Sequence, residues 1–361
     1  MRKVIRALIL VVAVMLTRGI DGHMVMAQPA AKDSVAPVAL SGFVDTYFSF
    51  NLGRPVTHAN ALRNFDVTEN QFILSNAEVT VSRAATPVGF RVDLDFGPTN
   101  DIVQTGVTGS VVNIGQAYLT YVVPVGSGLN VDAGKFVTHM GNEVIKTKDN
   151  FNYSRSFLFA YSIPYYHLGV RASYPVSGAL TLTGLVLNCY NGLAVNPGKT
   201  FGLQGILTAS PALSITGNWI GGPAFPDSVS KKFRNVANLI VSLQATEKLT
   251  VALDAVYGQE NLPGGIALWR GAAGYLKYAL CDESSLALRG EIYNDPSGFT
   301  TGTSQNLNEV TLTYEYRPAA SLILRGEYRY DSSTEVVFDG DAGAATRRNQ
   351  STVLVGAIVT F

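Results

Sequence analysis

The stretch SLALRGEIY, residues 285–293, decides the fold class because its apolar and charged side chains alternate strictly. Leu288 and Ile292 fall on one face of an extended chain, and Arg289 and Glu291 fall on the other. A period of two residues is that of a β-strand, whereas a helix would mix the two sets of side chains. The stretch therefore predicts a strand with one apolar and one ionic face.

The same alternation recurs along the chain, most clearly in Val88–Phe96 and Leu322–Tyr330. Segments of this kind run to about eight to twelve residues and are separated by turn-forming residues. We expect about sixteen strands, at residues 39–50, 72–83, 88–96, 111–123, 129–136, 167–174, 180–188, 200–209, 213–220, 235–245, 249–258, 270–280, 285–294, 307–317, 322–330 and 351–361.

The connections between these strands alternate between short and long. The short ones are rich in Pro, Gly, Ser and Asp, as tight turns are, and the others run from about nine to thirty residues. A transmembrane barrel sorts its connections in this way, with short periplasmic turns and long outer loops, whereas a soluble sandwich does not. The fold class predicted for residues 38–361 is an all-β, antiparallel, up-and-down transmembrane barrel.

The ionic faces identify what lies inside the barrel. Hydrocarbon penalises an Arg or Lys near its midplane by ~2–4 kcal/mol, so these faces are expected to line a water-filled lumen while the apolar faces contact lipid. Tyr and Phe near the strand ends are typical of the two interfacial belts. The strand residues predicted to line the pore are Arg91, Asp93, Asp95, Arg171, Arg289, Glu291, Arg325, Glu327 and Arg329.

The longest connection, residues 137–166, has no clear strand pattern, and loops of that length are commonly functional. Folded inward, it would narrow the pore; otherwise it remains at the outer rim. Its candidate constriction residues are Glu143, Lys146, Lys148, Asp149 and Arg155. The strand charges mildly favour cations and the loop charges lean towards anions, so the sign of the ion preference stays open.

The first residues predict export. A basic segment precedes the apolar run Ala7–Leu16, and Val25 and Ala27 stand at the −3 and −1 positions of a cleavage site, which together resemble a secretory signal peptide. We therefore assign residues 1–27 to a signal peptide and 28–37 to a linker. The expected location is the outer membrane of a Gram-negative bacterium.

Composition bounds the remaining function classes. Without residues 1–27, which hold four basic and one acidic side chain, the formal charge falls from zero to −3, and no basic patch suggests nucleic acid. Cys189 and Cys281 fall at opposite ends of the predicted barrel, so two free thiols are expected. The scattered histidines match no metal pattern, and we expect neither a metal nor another cofactor.

A family resemblance covers the mature chain. The run Asn152–Phe159, the run Ile163–Pro175, Gly134-Lys135-Phe136 and the closing strand ending in Phe361 resemble the OmpL-like β-barrel porins. The resemblance implies an outer-membrane porin and leaves the solute open. The terminal Phe361 resembles the address that the barrel assembly machinery reads, and because many porins trimerise, a homotrimer is a possible assembly.

The predicted function is passive diffusion of small polar solutes or ions through a water-filled channel, without enzymatic activity. One alternative is a non-conducting barrel used for adhesion or anchoring. A second is an outer-membrane hydrolase, with His139 or His167 as base near Ser154, Ser156 or Ser162. The last is a soluble exported β-protein.

Overall fold

The computed structural model describes residues 36–107, 109–192, 198–223 and 233–361. The predicted signal peptide and almost all of the predicted linker lie outside these residues. The strands are β1 Val38–Asn51, β2 Gln71–Arg83, β3 Val88–Phe96, β4 Ile114–Val123, β5 Leu129–Val137, β6 Tyr166–Pro175, β7 Leu180–Leu187, β8 Thr200–Ser210, β9 Leu213–Pro223, β10 Phe233–Gln244, β11 Leu249–Leu262, β12 Gly265–Cys281, β13 Ser284–Asp295, β14 Gln305–Ala319, β15 Leu322–Ser333, β16 Phe338–Gly340, β17 Gly343–Arg347 and β18 Asn349–Thr360.

Sixteen of these strands, β1–β15 and β18, close into one antiparallel barrel, which confirms the predicted fold class and strand number. Each strand pairs with its neighbours in the chain, and β1 pairs with β18 to close the sheet. Closure leaves no edge with unpaired amide groups, which a bilayer would penalise. The short strands β16 and β17 form a separate hairpin within the connection from β15 to β18.

Most predicted strand ends lie within three residues of the observed ones, and two of the differences have a clear cause. The outer connection expected between residues 258 and 270 is replaced by continued pairing of β11 with β12, which ends at Leu262 opposite Gly265 and leaves a two-residue turn. The backbone ladder tolerates the mixed side chains there, so loss of alternation did not end the strands. The fourth strand begins at Ile114 because Ser110–Asn113 forms a 3₁₀ turn.

The two faces of each strand have the predicted environments. On β13, Leu286, Leu288 and Ile292 are exposed on the outer side, whereas Arg289 and Glu291 are buried within the barrel. The exposed outer side chains on the other strands are also mainly apolar, with tyrosines near the strand ends. This arrangement places an apolar surface against lipid and an ionic surface inside.

Within the described residues, helical structure is confined to short connecting segments. The helix α1 spans Pro98–Val103, and a single π-helical turn spans Leu158–Ser162. Across the described ranges, no helix has the length and apolar character needed to cross a bilayer. Cys189 lies buried beyond the outer end of β7 and Cys281 is exposed at the periplasmic end of β12, so no disulfide joins them.

Lys135 interrupts the outward apolar pattern of β5, and the structure gives the reason. Its ammonium Nζ donates to Gln104 Oε1 at 2.8 Å and to the Ile114 carbonyl at 2.5 Å, and it lies 4.2 Å from the centre of the Tyr166 ring. The connection between β3 and β4 therefore shields this charge.

Candidate channel interior

The connection between β5 and β6, residues 138–165, folds into the barrel; we call it the inner loop. Two of the wall carboxylates each bind consecutive N–H groups of its backbone. Glu327 accepts the successive N–H groups of Tyr153 and Ser154 at 2.6 and 3.0 Å, and Glu291 accepts that of Phe157 at 2.7 Å and that of the next residue at 2.6 Å. Charged acceptors form strong hydrogen bonds with otherwise unpaired amides.

Arg289 joins the inner loop to two strands of the wall. Its Nη1 donates to Glu143 Oε1 at 2.6 Å and to the Ser154 carbonyl at 2.7 Å, while its Nε donates to Glu309 Oε2 at 2.8 Å. The guanidinium is completely buried. Such a charge is stable only because its donors all find partners.

Arg325 and Arg329 of β15 bind carbonyl groups of the loop. Arg325 reaches the carbonyls of Thr147 and Asn150 at 2.8 and 2.6 Å, and Arg329 reaches that of Arg155 at 2.5 Å. Guanidinium groups satisfy loop carbonyls that would otherwise be buried without donors.

The loop also reaches β1, β2 and β3, which follow β15 and β18 around the barrel. Lys146 Nζ lies 2.6 Å from Glu78 Oε1 on β2 and 3.0 Å from Asp93 Oδ2 on β3. The Tyr153 hydroxyl donates to Asp45 on β1 at 2.7 Å. The inner loop is thus attached on several sides of the barrel and crosses the lumen.

The predicted site residues fall into three environments. The residues buried where the barrel wall meets the inner loop are Glu143, Arg155, Arg289, Glu291, Arg325, Glu327 and Arg329. The carboxylates Asp93 and Asp95 are buried on β3. Side chains with a larger water-accessible part are Arg91, Lys146, Lys148, Asp149 and Arg171.

Arg155 braces the loop from within. Its guanidinium donates to the Tyr153 carbonyl at 2.6 Å, to the Val144 carbonyl at 3.3 Å and to the Ile145 carbonyl, and it lies 4.8 Å from the centre of the Phe65 ring. Burial lowers the pKa of Arg155 from its ordinary value. These contacts hold the chain reversal on which the inward course of the loop depends.

The first outer connection, residues 52–70, is also part of the interior, which its sequence pattern did not predict. Arg63 Nη2 lies 2.7 Å from Asp331 Oδ2 on β15, and Asn64 donates to the Ala160 carbonyl of the inner loop at 3.1 Å. Phe65 packs on Phe159 with ring centres 5.8 Å apart. Phe65 is the single Phe, Tyr or Trp among residues 52–70, and this was the one feature of the sequence that pointed to a buried contact.

Strand β7 is apolar on both faces because the loop meets it inside. Leu185 and Leu187 point inward and are buried in the same apolar cluster as Met140 and Ile163 of the inner loop. The burial of these four side chains contributes to loop attachment in addition to its ionic contacts.

His139 and His167 occupy structural positions. His139 Nε2 is 3.2 Å from the Trp219 carbonyl, and His167 Nε2 is 3.2 Å from Thr138 Oγ1. Burial lowers the pKa of the His139 imidazole to about 4, so it is neutral at ordinary pH.

The three serines named in the hydrolase alternative have hydrogen-bond partners other than histidine. Ser154 Oγ accepts from Arg289, Ser156 Oγ donates to Glu143 and Ser162 Oγ donates to the Leu158 carbonyl. No hydrogen bond in the described ranges joins a histidine to these serines. In the same ranges, no group of three or more His, Cys, Asp and Glu side chains could hold a metal ion.

A closed sixteen-stranded barrel with apolar outer faces, an ionic interior and a loop folded into the lumen defines an outer-membrane channel of the porin class. The chain belongs to the family described as putative beta-barrel porin-2, OmpL-like, whose family model matches residues 37–361. This match confirms the resemblance. No curated protein sequence matches the chain.

Solved structures of porins share the fold. An anion-selective porin from Comamonas acidovorans is similar with a TM-score of 0.65 at 10% identity, over 90% of this chain and 100% of that one. The outer membrane channel DcaP of Acinetobacter baumannii gives 0.59 at 14% identity, over 91% and 98%. The trimer form of Vibrio cholerae OmpT gives 0.59 at 12%, over 91% and 100%.

Proposed function

We propose that the protein lets small polar solutes and ions diffuse passively across the outer membrane, through a lumen narrowed by the inner loop. The observation that carries this proposal is the attachment of residues 138–165 to wall residues on several sides of a barrel too wide to be filled by side chains alone. Water then occupies the space beside the loop.

The buried predicted residues act in this proposal as supports of the constriction. Arg289, Glu291, Arg325 and Glu327 hold the loop backbone, while the side chains of Arg91, Arg171 and Lys148 are partly exposed in the lumen. Selectivity then depends on the second group, because charges at the water surface act on a passing ion at the shortest range.

Planar-bilayer recording tests the channel. The full-length protein processed by its host, purified in detergent and added to a bilayer, should produce discrete conductance steps, and liposomes that contain it should swell in small sugars and much less in large ones. Bilayers and liposomes that receive detergent alone are the control. A folded barrel that produces neither steps nor swelling would support the non-conducting alternative.

Export and assembly complete the proposal. Removal of residues 1–27 would leave the mature chain, which N-terminal sequencing of membrane-extracted protein can check. The barrel assembly machinery would read Phe361, which is exposed where its N–H donates to the Gly42 carbonyl of β1 at 3.1 Å; lower membrane yield of Phe361→Ser would support this. Cross-linking would reveal a homotrimer.

We infer no enzymatic role for the protein. Hydrolysis of ester or peptide substrates by the folded protein would contradict this inference.

A further inference from the structure

We propose that the channel prefers small anions, and that Arg91, Arg171, Lys277 and Arg317, here called the cationic ring, set this preference. The inference rests on the proposed channel function. All four occupy inward positions near the periplasmic ends of their strands, β3, β6, β12 and β14. They therefore surround the lumen below the inner loop.

Each member of the ring is paired with a carboxylate, but the cation is the partner that meets water. The side chain of Arg91 is 33% exposed and that of Asp93 1%; Arg171 is 24% exposed and Asp132 5%. The long stems of Arg and Lys extend beyond the short carboxylates beside the wall. An ion in the lumen thus approaches the positive partner most closely.

On one side of the ring, the charges do not balance. Glu315 is 6% exposed and lies 3.4 Å from Lys277 Nζ, 2.9 Å from Arg317 Nε and 2.7 Å from Arg325 Nη2. One carboxylate faces three cations, of which Lys277 and Arg317 are 27% and 41% exposed. This corner carries excess positive charge towards water.

Aromatic rings hold two members of the ring in place. The Arg171 guanidinium carbon lies 4.7 Å from the centre of the Phe136 ring and 5.4 Å from that of Tyr118, and Lys277 Nζ lies 5.4 Å from that of Phe151. Cation–π contacts of this kind restrict the cation without neutralising it.

Carboxylates outnumber cations among the inward strand residues, yet they are placed where they act least on the solute. Glu291, Glu327 and Asp254 bind backbone N–H groups of the inner loop and are buried. Lys146 covers Glu78 and Asp93. Their charges are offset by donors at hydrogen-bond distance rather than presented to water.

Asp149 of the inner loop and several carboxylates of the periplasmic turns are exposed. Asp149 is 48% exposed but accepts from the adjacent Lys148 at 2.8 Å. Exposed carboxylates on the periplasmic turns belong to Glu247, Asp282 and Glu283. These turns face bulk salt, which screens charges beyond about 10 Å at 0.1 M, whereas the ring lies in the confined lumen.

The test is the reversal potential across a bilayer that separates two KCl concentrations. The unaltered protein should show conductance steps and a potential of the sign given by a chloride-to-potassium permeability ratio above unity. Absence of steps would overturn the channel function itself. Steps with the opposite sign, or with no potential, would overturn only the anion preference.

Double variants test whether the cationic ring sets the anion preference. The double variants Arg91→Gln with Arg171→Gln, and Lys277→Gln with Arg317→Gln, should each lower the permeability ratio by roughly twofold or more, because buried carboxylates then face water without their cations. The matched control removes two exposed arginines of the outer side, Arg270→Gln with Arg348→Gln, and should leave the ratio unchanged. An equal permeability ratio in all three folded variants would overturn the assignment of the preference to the cationic ring. The reversal potential of the unaltered protein tests the anion preference itself, even if one variant fails to fold.

Discussion

At the scale of single residues, the interior depends on carboxylates that bind two consecutive amides each. Glu327 accepts from the backbone of Tyr153 and Ser154 and also from Thr313 Oγ1 at 2.7 Å. An amide buried without an acceptor costs about 1–3 kcal/mol, so this side chain contributes to holding the loop at its innermost point.

Replacement of Glu327 by Ala should loosen the inner loop without opening the barrel. We expect the amides of Tyr153 and Ser154 to exchange with deuterium roughly thirtyfold faster, corresponding to about 2 kcal/mol of lost protection. Mass spectrometry of the peptide that contains them is the measurement. Glu335→Ala, at an exposed position beyond β15, is the control. Equal exchange in the two variants would contradict the anchoring role.

At the scale of elements, the inner loop and β18 fit together at a glycine. A Cβ at Gly356 would lie 2.5 Å from Cε2 of the buried Tyr153 ring, whose hydroxyl holds Asp45. A strand residue without a side chain therefore makes room for the loop, and a larger residue there must displace it.

Gly356→Val should detach this part of the loop, with a destabilisation of roughly 1–3 kcal/mol from overpacking. Trypsin should then cleave the folded protein after Lys146 or Lys148, sites held in the lumen of the unaltered barrel. Gly326→Val is the matched control, because a Cβ there meets no heavy atom within 4 Å on the outer face of β15. If the two glycine variants were cleaved at the same rate, the packing role of Gly356 would be wrong.

The strands could be predicted from sequence and the interior contacts could not, for a physical reason. Alternation such as that of residues 285–293 is local, so Arg289 and Glu291 could be placed inside the barrel before any partner was known. The partner amide of Glu291 belongs to Phe157, which is 134 residues away in the chain. Arg289 likewise binds residues that are distant in the chain, Glu143 and Ser154 of the inner loop. Its own sequence neighbours therefore cannot show whether it lines water or binds the loop.

Arg63 and Phe65 illustrate the same limit. Their segment has no strand period, and only contacts with Asp331 and Phe159 reveal that it packs on the inner loop. The prediction of an outer connection after residue 258 was wrong for another reason. Backbone pairing between β11 and β12 continued to Leu262 after the side-chain alternation had ended.

At the scale of the whole molecule, the two faces of the sheet have opposite surroundings, lipid outside and an ionic interior inside. The chain has two tryptophans, and one lies on each face of the sheet. Trp219 lies at an outward position on β9, opposite the exposed Leu203. Trp269 points inward on β12, where its Nε1 donates to the Ser162 carbonyl of the inner loop at 3.2 Å.

Quenching by brominated lipid tests this arrangement most directly. In bilayers of brominated phosphatidylcholine, the Trp269→Phe variant, which retains Trp219, should lose much of its fluorescence relative to unbrominated bilayers. The Trp219→Phe variant, which retains Trp269, should lose little. Equal quenching of the two variants, or stronger quenching of Trp269, would contradict a barrel with lipid outside and an enclosed ionic interior.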